Sequence, residues 1–414
     1  MSEPSAPAVL PILDGLRVVE ATAFIAAPLG GLTLAQFGAD VIRIDPPGGS
    51  LDIGRWPLAD DGRTSLFWTG LNKGKRSVVI DTAQPEGREL AMALIAAPGE
   101  DAGILLTNLP PRGFLSYEDL SALRPDLIQL TLSGDRHGGS QVDYTVNARL
   151  GVPLFTGDAQ ANGLRPVNHV MPAWDVGTGY LAALGILGAE RHRRKTGRGQ
   201  HVKLALQDVG LATLGNLGFI AEAESGRPRQ RIGNDLFGAF GGDFACRDGE
   251  HLMIVGLTGR QWRGLCKACG LQPAMDALGE RLGLDLSQEG ARFVARRHIA
   301  ELVGPWVAAR SKAEVTAAFD ANGVCWGPYQ TVEQLVAQDA ECSTANPLFQ
   351  HIEQPGAGRT LAPGLPLDYS ELGRSDARPA ARLGQHSEEV LHEVLGLDGA
   401  AIGALIDRGL VRTA

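Results

Sequence analysis

One carboxylate stands apart in the stretch HVMPAWDVGTGYLAALGILGAERHRRKTGRGQ, His169 to Gln200. Asp175 follows a tryptophan, precedes Gly177 and Gly179, and opens an otherwise apolar helical run. Two chemistries fit such a residue. It could cap the helix, because an Asp carboxylate accepts backbone N–H bonds left over at a helix start. It could also attack an acyl carbon, since a carboxylate with an ordinary pKa of about 3.9 is ionised at neutral pH without a general base. In that case Gly177 and Gly179 would let a bulky substrate reach the outward-pointing N–H groups of the first turn.

An anionic substrate would need local positive charge, because the chain as a whole is acidic. Its 414 residues hold 38 Lys and Arg against 47 Asp and Glu, a formal net charge of −9, which disfavours generic binding to nucleic acid or an anionic membrane. The run NKGKRS places Lys73, Lys75 and Arg76 just before a strand. The later block RHRRKTGRG, Arg191 to Gly199, reads instead as a solvated helix end, with cations on the helix dipole and Gly197 as the stop. Five scattered cysteines suggest a reducing compartment, and Cys266 and Cys269 read as buried thiols on one helical face. No metal site is expected. The N-terminus MSEPSAPAVLPILDG lacks the charge and apolar run of a signal peptide, so a cytoplasmic location is expected.

The elements that must hold Asp175 alternate in type. Leu16–Ala21, Asp40–Asp45, Ser77–Asp81, Ala102–Asn108 and Leu127–Gly134 read as strands, separated by helical segments, the first of them from Pro28 to Ala39. Such alternation predicts a mostly parallel sheet with helices on both faces, an α/β class. Asp45, ending the second strand, could hold a ribose, but Phe24 and Ile25 stand where a dinucleotide-binding turn needs glycines. Gly30 and Gly31 fit tight helix–sheet packing better. Three domains are expected: residues 1–222, a Rossmann-like large domain with the catalytic Asp; 223–340, a smaller α+β domain; and 341–414, a linker around Asn346 to Pro366 and a helical return to the large domain.

Taken together and in order, GLRVVEATAFIAAPLGGLTLAQFGADVIRID, LNKGKRSVVID, LLTNLPPRG, AWDVGTGYLAALGILGAERHRRKTGRGQHVKLALQD and RLGQHSEEVL resemble the class III CoA-transferase family, from about Leu13 to the C-terminus. The resemblance implies a Rossmann-like large domain built from both chain ends, a smaller central domain, and a homodimer of interlocked rings. It assigns Asp175 as the nucleophile on an acyl-CoA thioester. It also places Phe24, Ile25 and Ala26 along the CoA channel, Asn72 and Lys75 in a CoA-contacting segment, and Asn108 near the adenosine, with Arg112 close by. The glycine-rich NDLFGAFGG, with Gly238 and Gly241, resembles a mobile loop over the nucleophile. Coenzyme A would enter as part of the substrate, with no other cofactor. Pro46 and Pro47 replace basic residues that formyl-CoA transferases carry there.

The family also contains α-methylacyl-CoA racemases, which use a histidine where this chain has Ser140. A hydroxyl with no neighbouring base is a poor proton shuttle near neutral pH, and His137 and His169 are the nearby substitutes. The finer segments GGSQVDYTVNARLG and VNHVMPAWDVGTG most resemble members that shift CoA between the C1 and C4 carboxyls of one bound mesaconate. Tyr144, Asn147, Arg149 and His169 are then candidates to hold the free carboxylate. The rival expectations are transfer between two different acids, racemisation, and acyl-CoA binding without catalysis.

Overall fold

The computed structural model describes residues 12–158, 165–372 and 374–414; the leader reading above concerns residues 1–15, of which 1–11 lie outside them. From the N-terminus come β1 (Arg17–Ala21), α1 (Ala26–Gln36), β2 (Asp40–Asp45), α2 (Leu66–Leu71), β3 (Arg76–Ile80), α3 (Pro85–Ala96), β4 (Ile104–Thr107), α4 (Tyr117–Leu123) and β5 (Ile128–Ser133). Then follow α5 (Asp143–Arg149), α6 (Val152–Phe155), the long α7 (Ala173–Thr196), β6 (Gln200–Ala205) and α8 (Leu206–Asn216). The first helix starts two residues before the expected proline, with Pro28 inside its first turn, where a missing N–H costs nothing.

The chain divides into two compact units. The larger comprises Met1–Leu150, Val170–Gly218 and Asp339–Ala414, and the smaller comprises Gly151–His169 and Phe219–Gln338. In the larger unit seven strands run in the order β12-β3-β2-β1-β4-β5-β6, where β12 is Val411–Arg412. Six are parallel, and β12 alone pairs antiparallel, on the β3 edge.

Alternate side chains of these strands serve opposite faces. Val18, Val41, Ile104, Leu106, Ile128 and Leu130 pack under α1 and α7 with Leu34 and Ile186. Their neighbours Val19, Ile42, Val78, Ile80 and Leu105 pack on the other face with Leu94, Leu120 and Val390. The chain leaves β1 toward one side of the sheet and β4 toward the other, and such a reversal leaves a crevice at the carboxyl ends of the strands.

Glycines bring α1 and α7 together. A Cβ on Gly30 would come 3.2 Å from the Gly179 carbonyl, and one on Gly179 would come 2.7 Å from that of Ala26. Gly179 is therefore a packing residue and not, as the sequence suggested, an opening for substrate. Gly177, two residues nearer the start of α7, is exposed and has only Val209 within reach of an added Cβ, at 3.8 Å. Gly197 ends α7 in the left-handed conformation, and the buried Arg193 donates to the Ala102 carbonyl at 2.7 Å, so the basic block is a capped helix end.

The expected linker is a hairpin instead. Residues β10 (Phe349–Gln354) and β11 (Gly358–Pro363) pair antiparallel. The buried Gln354 carboxamide makes two bonds to the Ala380 backbone, a strand-like anchor that Pro and Gly content alone does not reveal.

The smaller unit carries a three-stranded sheet, β7 (Phe240–Ala245), β8 (His251–Gly256) and β9 (Cys325–Pro328), antiparallel throughout. Helices Gly259–Cys269, Gln272–Leu282, Arg296–Ala308 and Lys312–Asp320 close its core around Leu252, Ile254, Leu265, Val303 and Phe319. Cys266 and Cys269 are buried there, and burial pushes their thiols up to about 11 and about 12, the mark of inert cysteines.

Candidate active site at the switch point of the sheet

Helix α7 is preceded by Pro172, which offers no side-chain cap. The cap comes from elsewhere. Asp143, the first residue of α5, is buried, and its Oδ2 accepts from the backbone N–H groups of Trp174 (2.8 Å) and Asp175 (3.0 Å). One turn further along α5, buried Asn147 accepts from the Trp174 indole at 3.1 Å. Helix α5 thus grips the first turn of α7 at two points and relieves Asp175 of capping.

The Asp175 side chain is left free. Among the described residues no hydrogen bond reaches its half-buried carboxylate. Burial, and then the facing charge of Asp143, push its carboxyl up to about 7, while Arg55 pulls the other way. The expectation of an ordinary, fully ionised aspartate at neutral pH is therefore corrected: near pH 7 both protonation states are populated.

The β1–α1 turn stands at the carboxyl end of β1, where α1 packs against α7. Phe24 holds a φ of 68°, in the left-handed region that costs a bulky residue energy and occurs preferentially at functional sites. Two contacts pin that turn. The Phe24 N–H donates to buried Asp52 at 2.7 Å, and the Asn108 carboxamide both accepts from the Ala23 N–H (2.9 Å) and donates to the Ala23 carbonyl (2.7 Å). Ile25 is half-buried and Ala26 buried at the start of α1. Arg55 lies over the rings of Phe24 (5.9 Å) and Phe67 (5.1 Å), exposed, and close enough to act on Asp175. Sequence reasoning missed both Asp143 and Arg55; the first sat in a quoted motif, whereas the second had no motif signal at all.

Asn72 and Lys75 belong to the interior. Lys75 Nζ donates to Glu20 (2.9 Å), the Pro28 carbonyl (2.8 Å) and Asn72 Oδ1 (2.9 Å), which uses all three of its protons. Buried Arg43 joins the same network through Glu20, Thr22, Asp45, Ser50 and Asn72. The expected contact of Asn72 and Lys75 with CoA is corrected on this ground: both are below 5% exposed, Lys75 has no donor left over, and the Asn72 amide is turned to the Trp68 carbonyl. Asp45, paired with Arg43 at 2.9 Å, is equally closed to a ribose. Arg76 is held by Asp40, Glu389 and Glu393. Of the basic run, Lys75 is thus spent inside the fold and Arg76 is tied to acidic partners at the surface, while Lys73 is half-buried.

Of the remaining candidates, Arg112 is exposed after β4, and Ser140 is exposed before α5. Tyr144 is exposed and donates to the Val170 carbonyl at 3.2 Å. Arg149 is exposed at the far end of α5 from Asp143, six residues and so about 9 Å along the helix. His169 is half-buried and belongs to the smaller unit, as do Gly238 and Gly241. Gly238 has a φ of 81°, but Phe240 to Gly242 are buried strand β7, so the second half of the glycine-rich segment is anchored and not a loop. Among the described residues no group of three or more His, Cys, Asp or Glu side chains could hold a metal ion, and no helix is long and apolar enough to cross a membrane.

Residues 13–387 match the sequence profile of CoA-transferase family III. The chain belongs to that family. Among relatives of this CoA transferase, the 2-methylfumaryl-CoA isomerase of Chloroflexus aurantiacus is 57% identical over 97% of this chain and 98% of its own. The succinate–glutarate CoA-transferase of Agrobacterium fabrum is 29% identical over 94% of this chain and 98% of its own. The crystal structure of a CAIB/BAIF family protein from Brucella suis superposes with a TM-score of 0.75 at 26% identity, covering 93% of this chain and all of the other.

Proposed function

We propose that this CoA transferase moves CoA between the two carboxyls of one substrate, converting 2-methylfumaryl-CoA to 3-methylfumaryl-CoA, and that Asp175 is its nucleophile. The observation that carries the reading is the free Asp175 carboxylate at the head of α7, beside the β1–α1 turn and unburdened by capping. The near full-length identity to the Chloroflexus isomerase supports the choice of substrate.

The ionised Asp175 oxygen attacks the thioester carbon and expels CoA thiolate, leaving a mixed anhydride. The thiolate then attacks the Asp175 carbonyl, which frees the C1 carboxylate of mesaconate and leaves an aspartyl-CoA thioester. After the diacid turns over, its C4 carboxylate attacks that thioester, thiolate departs again, and its return to the C4 carbonyl regenerates Asp175. Each tetrahedral oxyanion forms at the N-terminal end of α7, where the helix dipole stabilises negative charge. Holding mesaconate in place gives its second carboxylate a high effective concentration, so return outruns exchange with solution. Among the described residues Arg55 is the cation that acts on Asp175, and we assign it to the substrate's anionic groups. Phe24, Ile25, Ala26, Asn108 and Arg112 border the CoA path, Asn108 through its grip on the turn.

The same reading includes a homodimer of interlocked chains in the cytoplasm, with CoA arriving only as part of the substrate. Its support is an uncovered stripe on α7, where Tyr180, Leu181 and Leu184 are exposed at helical spacing, continued on α8 by Leu211. Isotopically labelled free mesaconate tests the transfer itself. The reading expects isomerisation with no label in the thioester; label entering as fast as isomerisation proceeds would replace it with exchange between separate acids.

A further inference from the structure

Asp143 is a buried carboxylate facing another carboxylate, an arrangement that stability alone does not favour. Its Oδ2 holds the backbone of the nucleophile, while its Oδ1 is buried and has no hydrogen-bond partner among the described residues. A neutral residue would cap α7 as well: serine and asparagine are capping residues of comparable strength. Geometry therefore asks what the charge is for.

We propose that Asp143 is a positioning residue whose carboxylate caps α7 in place of Asp175 and whose negative charge disfavours the free Asp175 carboxylate relative to its acylated forms. The proposal rests on Asp175 being the nucleophile. Anhydride and aspartyl thioester both cancel the charge at position 175, so the repulsion that opposes a free carboxylate there is relieved when the acyl bond forms. The charges acting on Asp175 are Asp143 from α5 and, with opposite sign, Arg55 from the segment between β2 and α2. A Cβ added at Gly177 or Gly179 would meet Val209 of α8 or Ala26 and Leu29 of α1, which carry no charge; the first turn of α8 also holds Asp208.

Asp143→Asn tests it, because the amide oxygen can still accept from Trp174 and Asp175 while the charge is gone. Two readouts are needed: carbodiimide labelling of Asp175 against pH in the free protein, and the fraction of Asp175 trapped as hydroxamate when turnover of 2-methylfumaryl-CoA is quenched with hydroxylamine. Carbodiimide reports on the carboxyl whether or not it ever meets a thioester. The expected result is a labelling midpoint lowered by about one pH unit, an acid limb of kcat/KM displaced the same way, and a several-fold smaller trapped fraction. Unchanged midpoint and unchanged trapping in a folded variant would overturn the proposal. Should Asp143→Asn not fold, Asp143→Ser supplies a second neutral cap, and failure of both would assign Asp143 to the fold alone, which also overturns it. If the parent protein labels normally but is never trapped, the nucleophile assignment fails instead.

Discussion

The carboxamide of Asn108 clasps the backbone of Ala23 through both its N–H and its carbonyl, at 2.9 and 2.7 Å. Those two bonds tie the end of β4 to the end of β1 across the reversal of the sheet, one residue before the strained Phe24. Replacing Asn108 with Ala removes both, at roughly 1–3 kcal/mol of stability. The turn that borders the crevice is then freer to relax, so KM for the thioester is expected to rise several-fold with a smaller change in kcat. Steady-state kinetics beside a urea titration separate the two effects; an unaltered KM would remove Asn108 from the CoA path.

Lys75 gives the opposite expectation. With its protons on Glu20, Pro28 and Asn72, Lys75→Met leaves Glu20 with one cation fewer in a dry interior. Removing one member of a buried pair typically costs about 3–5 kcal/mol. Chemical denaturation should register that loss, while the salt dependence of KM stays as in the parent. A weakened salt dependence with little loss of stability would return Lys75 to the phosphates of CoA.

Two glycines separate packing from access. A Cβ on Gly31 would sit 1.7 Å from Glu20 Oε2, so Gly31→Ala must displace a buried carboxylate and should destabilise by about 1–3 kcal/mol or more. Exposed Gly177 has room, and alanine there should gain about 0.5–1 kcal/mol from helix propensity alone. If substrate passes over Gly177, that more stable variant will still show a raised KM. Thermal melts and kinetics on the pair check both statements.

Asp175 itself should cost the fold stability. Its carboxyl, pushed up to about 7 in the folded chain from an ordinary 3.8, binds more protons folded than unfolded between those values. The favourable contribution is complete below about pH 4 and is lost as the pH rises through 7. Asp175→Asn is therefore expected to melt higher than the parent at pH 8, on the order of 1–2 kcal/mol after allowing for solvent screening, with the gap closing toward pH 4. A variant no more stable than the parent at pH 8 would show an unperturbed aspartate.

The alternating pattern was legible because strand and helix periods are local. Val18 and Val19 point to opposite faces by the geometry of a strand, and five of the six parallel strands could be read directly. What escaped were properties of pairs distant in sequence. Asp143 caps a helix that starts thirty residues later, and Lys75 owes its burial to Glu20, fifty-five residues earlier. A motif locates such residues without revealing whether they meet solvent. Asp175 was legible as a candidate, but its altered proton affinity was not, since that depends first on burial and then on a neighbour in another helix. The hairpin at Phe349–Pro363 was hidden by turn-forming composition, which cannot distinguish a linker from two short strands.

The nucleophile assignment is tested most directly by mass spectrometry of the peptide containing Asp175 after turnover of 2-methylfumaryl-CoA is quenched with hydroxylamine. The account predicts hydroxamate at Asp175, dependent on substrate and absent when substrate is withheld. An unmodified Asp175 in a sample that has demonstrably made 3-methylfumaryl-CoA would contradict it.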